Sequence, residues 1–101
     1  LSPLQTLSDT FSAIALARLG RTEEARAALK SLEATARQTY VPPSHLALIE
    51  TALGNRDRAF AHLEDALSVR DARLALLKID PKWNGLRSDT RFQAVLRRMN
   101  L

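Results

Sequence analysis

Apolar side chains recur along this chain at helical spacing, and nowhere in the alternating pattern of a strand. Leu4, Leu7, Phe11 and Ile14 gather on one face of a first helix, which Ser2-Pro3 opens and Gly20 closes. Thr22 caps a second helix, with Glu23 and Glu24 in its first turn, where the dipole favours anions. Its buried stripe is Ala25, Ala28, Leu29, Leu32 and Ala36, and it runs to about Tyr40, ahead of Val41-Pro42-Pro43. A third helix carries Leu46, Ile49 and Leu53 and stops at Gly54. Asn55 caps a fourth, with Asp57 in its first turn and Ala59, Leu63, Ala66 and Leu67 facing inward. Short connections make neighbouring helices antiparallel. An all-α fold is expected.

The order changes after Arg70. Asp71 starts a short helical turn through Leu74–Leu77, and Asp80-Pro81 begins a second turn holding Trp83 and Leu86. Ser88-Asp89-Thr90 opens a last helix with Phe92, Val95, Leu96 and Met99 inside. Thr90 with Gln93 fits a capping box there, and Asp89 is the rival cap. Trp83 is expected to be buried near Leu86 and Phe92.

Six identities fall at one offset of 34 residues: Ala13 with Ala47, Leu19 with Leu53, Gly20 with Gly54, Ala25 with Ala59, Ala27 with Ala61, and Leu29 with Leu63. A period of that length is one helix–turn–helix unit, and arrays of such units stack into solenoids that bind rather than transform. The expected pairs are 7–20 with 22–40 and 43–53 with 56–70. Residues 1–70 then form two repeats (about 2–40 and 43–70), and residues 71–101 form an irregular helical cap. At the same offset Pro81 replaces Ala47 and Ser88 replaces Gly54, so a third regular repeat is not expected.

Composition narrows the chemistry. With no cysteine, disulfides and thiolate metal sites are excluded. No apolar run approaches the roughly 20 residues that span a bilayer, so no membrane insertion is expected. The chain begins at Leu1 without a signal-type block, which reads as an excised piece of a longer, cytoplasmic protein. Charge is uneven: residues 1–69 carry a net −1 and residues 70–101 a net +5. A basic end can attract phosphate or acidic partners, but a nucleic-acid footprint brings a denser stripe or stacking aromatics, which disfavours nucleic acid.

Several blocks resemble the C-terminal portion of tetratricopeptide-repeat proteins, particularly a bacterial group with a characteristic ending. Leu19-Gly20 with Ala25, and Leu53-Gly54 with Ala59, match the repeat signature. Tyr40–Pro43, His45–Ile49 and Ala52–Gly54 look like the last full repeat; Asp57–Phe60, Leu86–Asp89 and Arg91-Phe92 look like the closing segment. The resemblance implies a right-handed solenoid end used for protein–protein interaction or scaffolding, in a group whose arrays often follow DNA-binding or kinase domains. Two positions depart from the pattern: Thr90 stands where the group has proline, and Glu50 where the repeat has a packing aromatic.

The resemblance implies a concave wall carrying Thr10, Ile14, Ala17 and Arg18 from the first helix and Ser44, Leu48 and Thr51 from the third. Some tetratricopeptide domains clamp a terminal carboxylate with Lys and Asn; here Thr10, Ile14, Ser44 and Leu48 stand at the matching places, so no such clamp is expected. Nothing points to an enzyme, a cofactor or a metal. His45 and His62 lie apart without Cys neighbours and read as ordinary, partly exposed positions. There is no nucleophile elbow and no phosphate-cradling glycine loop. Leu4, Leu7 and Phe11, with Leu16 and Leu19 off their stripe, leave the first helix apolar over a wide arc, which suggests self-association as a homodimer.

Overall fold

In a computed structural model, which describes residues 3–100, the chain is helical throughout, with no strand among the described residues. Helices α1 (Pro3–Arg18), α2 (Thr22–Ala36), α3 (Pro43–Ala52) and α4 (Arg56–Ser68) are followed by two 3-10 turns, Ala72–Leu76 and Pro81–Leu86, and by α5 (Thr90–Arg98). Helix α1 packs on α2 and α3 on α4; α1 also lies along α3, and the second 3-10 turn rests on α3.

The 34-residue offset is visible in the backbone. Gly20 and Gly54 both take positive φ, 78° and 80°. After α1, the Arg21 N–H donates to the Leu16 carbonyl and the Gly20 N–H to Ala17; after α3, Asn55 donates to Glu50 and Gly54 to Thr51. These are the same helix-ending motif, in which a left-handed residue lets orphan carbonyls find donors. Helix α4 ends likewise, with Asp71 donating to Ala66 and Arg70 to Leu67, but the left-handed residue is Arg70, at φ 53°.

Of the repeated pairs, Ala13/Ala47, Ala25/Ala59 and Leu29/Leu63 are buried at both positions. Ala27/Ala61 are exposed at both. Helix α5 extends this register: Arg91 pairs with Asp57 at 2.9 Å and Arg98 with Glu64 at 2.7 Å, each across 34 residues. Two pairs in the same order set α5 parallel to α4, one period on. The two 3-10 turns lie between α4 and α5 along the chain.

Two apolar clusters hold the fold. Ala13, Ile14, Leu29, Leu32, Val41, Leu46 and Ile49 join α1, α2 and α3. Phe60, Leu63, Leu74, Leu77, Trp83, Leu86, Phe92, Val95 and Leu96 join α4 to the turns and α5, and Leu48 packs against both clusters. As expected, Trp83 is buried with Leu86 and Phe92.

The first helix departs from its predicted face. Of Leu4, Leu7, Phe11 and Ile14, only Ile14 is buried; Leu4 is 78% and Phe11 46% exposed. The buried side is Thr6, Thr10, Ala13 and Ile14. Thr10 tolerates burial because its hydroxyl donates to the Thr6 carbonyl at 2.8 Å, and Thr51 does the same to Ala47 at 2.7 Å. Small polar side chains thus allow close helix contact where larger apolar ones were expected. Leu16 is half-buried and Leu19 exposed.

Caps differ too. Thr22 is the first residue of α2, and Arg21 at the cap position grips Glu24 with two bonds instead of capping. Asn55 sits at the α4 cap position without a side-chain bond to the helix. Helix α2 ends at Ala36, which is exposed, short of Tyr40. Asp89, not the Thr90–Gln93 pair, caps α5 by accepting from the Arg91 N–H. Ser2 lies outside the described residues.

Candidate interaction groove

Helices α1 and α3 run side by side, and the start of the cap folds across them. Between them lies a groove of about 210 Å³. Its walls are apolar: Leu7 and Phe11 from α1, Leu48 from α3, Leu76 and Trp83 from the turns. Its polar groups are Thr10, Ser44 and His45, with Arg73, Asp80 and Lys82 on the cap side.

Asp71 fixes this geometry. Proline at 42 and 43 leaves α3 without a local side-chain cap. Asp71, 27 residues on, accepts the Ser44 N–H at 3.2 Å and the Arg73 N–H at 3.0 Å. One carboxylate therefore opens a 3-10 turn and ties it to the start of α3. Burial pushes the Asp71 carboxyl up, but hydrogen bonding with Ser44 and Arg73 outweighs burial and holds it below the usual carboxylate range. The cations beside the groove are neutralised locally. Arg73 Nη1 lies 3.4 Å from Asp71; Lys82 Nζ lies 3.2 Å from Asp80 and 5.6 Å above the Phe11 ring.

His45 corrects the sequence reading, which took it as partly exposed. It is 2% exposed, and neither ring nitrogen has a hydrogen-bond partner. Burial first, then Arg73, lowers the His45 pKa against the pull of Asp71, so the ring is neutral at neutral pH. A neutral imidazole has one N–H donor and one acceptor, and leaving them unmet underground costs about 1–3 kcal/mol.

Of the seven predicted wall residues, the structure brings Thr10, Ser44 and Leu48 into the groove. Ile14 and Thr51 are buried and Ala17 half-buried outside its lining, and Arg18 is exposed at the end of α1, away from it. Leu7 and Phe11, expected on a self-association face, are groove walls, while Leu4 stays outside. Arg73, Leu76 and Lys82 were not anticipated there. They come from the aperiodic segment after Arg70, where no spacing indicates which way a side chain points.

The basic end is largely spoken for. Arg91 binds Asp57 and Asp89, Arg98 binds Glu64, and Arg87 donates to the Lys78 and Asp80 carbonyls. Arg73 and Lys82 are paired as well, so four of the eight cations of this segment face carboxylates, and Asp57 and Glu64 of α4 offset part of its positive charge. Among the described residues no helix is long and apolar enough to cross a membrane, and no group of three or more His, Cys, Asp or Glu could hold a metal ion.

A second polar feature lies on the other side of α3. Glu50 is only 1% exposed, and its Oε2 has no hydrogen-bond partner; His62 Nε2 stands 4.0 Å away and Arg58 Nη1 3.9 Å. Burial, then Glu33, raises the Glu50 pKa against Arg58 and Arg26. A carboxyl whose folded pKa is raised gives stability that is complete below its unfolded pKa and is lost as pH rises through the folded value. Glu50→Gln is therefore expected to be more stable than the parent at pH 7, and the gain should vanish towards pH 4. Urea unfolding at the two pH values checks this, and equal gains at both would contradict the burial of an ionised carboxylate.

Compared with family models, characterised proteins and solved structures, the chain shows no significant match to any.

Proposed function

We propose that this chain is a protein–protein interaction or scaffolding module, the closing part of a tetratricopeptide-like helical array in a larger bacterial protein. The groove between α1, α3 and the cap takes an extended peptide segment of a partner. The observation that carries this reading is the pairing of an apolar-walled groove with a neutral, unpartnered His45 at its side. A peptide backbone carries carbonyl acceptors and N–H donors, the kinds of partner a ring nitrogen of neutral His45 lacks. A neighbouring large apolar side chain of the peptide fits among Phe11, Leu48, Leu76 and Trp83. Nucleic acid is the weaker reading, because five of the eight basic side chains after residue 69 are already engaged.

Selection of random peptides displayed on phage against this chain tests the proposal. Enriched peptides should share one large apolar residue, and Leu76→Arg, at an exposed groove wall, should abolish their binding while the helical circular dichroism is kept. Enrichment of peptides that bind Leu76→Arg equally well would overturn it.

One observation favours a second occupant. Leu4, Phe11, Leu76 and Ile79 are all exposed, and a second copy of this chain could cover the Phe11–Leu76 side of the groove. Light scattering at tens of micromolar reads this directly. A dimer that Phe11→Ser splits assigns the groove to self-association, and a monomer leaves it to the peptide.

A further inference from the structure

The cavity that Glu50 borders is separate from the groove and is built from three helices. It measures about 130 Å³, room for about four waters. Helix α2 contributes Arg26, Lys30 and Glu33; Glu50 comes from α3, and Asn55 and Arg58 from the start of α4. Three cations face two carboxylates in the lining, and Arg26 also meets Glu23 outside it at 3.5 Å, so Lys30 and Arg58 carry most of the positive charge turned towards the cavity. The Asn55 side chain makes no capping bond, which leaves the first-turn N–H groups of α4 without a side-chain acceptor. Helix N-termini with open N–H groups attract anions.

Glu50 is the independent observation. A bare carboxylate at the edge of an anion site repels most anions, and here one of its oxygens has no donor. The conflict is resolved by an anion that brings its own proton. We propose that this cavity binds inorganic phosphate: Arg26, Lys30, Arg58 and the open end of α4 hold its charged oxygens, and Glu50 accepts a hydrogen bond from its P–OH.

Inorganic phosphate keeps a P–OH throughout the neutral range. Sulfate carries none, and a phosphate monoester loses its last proton near pH ~6. Both should therefore be rejected at pH 7.5 by the same carboxylate. Because its ligands come from α2, α3 and α4, bound phosphate would join the two helix pairs and raise the melting temperature by mass action.

The experiment is an NMR titration of the whole chain at pH 7.5 and constant ionic strength with phosphate, sulfate and methyl phosphate. The amide signals of Asn55–Arg58 should move and saturate with phosphate, with sulfate and methyl phosphate at least about tenfold weaker. Glu50→Gln replaces the acceptor with an amide that can donate to a bare oxygen, so the preference for phosphate over sulfate should shrink or reverse. Arg58→Gln, at an exposed position, should weaken phosphate about tenfold while leaving the groove's peptide binding intact. The proposal is overturned if the signals do not saturate, if sulfate matches phosphate in the parent chain, or if Glu50→Gln keeps the original preference.

Discussion

Replacing Trp83 with Ala is expected to cost about 3–5 kcal/mol, the range for deleting a large aromatic from a packed core. Trp83 is 2% exposed and shares one cluster with Leu74, Leu77, Leu86 and Phe92. Its turn is pressed onto α3: a Cβ at Gly85 would lie 3.3 Å from Thr51 Cγ2, so the two backbones approach closely there. Little room exists for the surroundings to collapse into the space an indole leaves. The loss should appear as a lowered urea midpoint by circular dichroism, since the variant has no tryptophan left to report. In the parent chain, native emission should lie well to the blue of a water-exposed indole. Water-like emission, or a loss below about 1 kcal/mol, would mean that the cap is not docked.

Ala59→Leu should cost about 1–3 kcal/mol by overpacking, whereas Ala61→Leu should stay within about 0.5 kcal/mol. Both alanines repeat at the 34-residue offset, but only Ala59 and its counterpart Ala25 are fully buried. Their N–H groups donate to Arg21 and Asn55 in the same way, each at 3.0 Å, at the start of α2 and of α4. With both side chains fully buried, a larger group has no free surface to occupy at these positions. Thermal melts of the two variants compare a repeat maintained by packing with one that is merely similar in sequence. Equal melts would remove the packing explanation for the period.

The period was legible because its residues answer to backbone and packing demands that sequence displays openly. Gly20 and Gly54 mark left-handed turns, and Ala25 and Ala59 mark fully buried positions. Trp83 was legible because an aromatic of that size between Pro81 and Leu86 has few places to go. The inner face of α1 was not. Thr10 satisfies its hydroxyl within the helix and so can be buried, whereas the apolar stripe of Leu4 and Phe11 is left outside. Helical spacing identifies an apolar stripe without saying what will cover it. The groove was half legible: Thr10, Ser44 and Leu48 follow from the paired helices, but Arg73, Leu76 and Lys82 depend on a crossover held by Asp71. His45 was misjudged because a lone histidine carries no sign of its burial. Glu50 did stand out in the sequence, as an acid in an otherwise apolar stretch, and in the structure it is buried with one oxygen lacking a hydrogen-bond partner.

If the groove between α1, α3 and the cap is where this chain meets a partner, a selected peptide followed by NMR should cause saturable shifts at Thr10–Phe11, Ser44–Leu48 and Leu76–Trp83. The ring signals of His45 should move with them, and Arg26, Lys30 and Arg58 should stay undisturbed. Shifts confined to the outer faces of α4 and α5, with His45 unmoved, would contradict it.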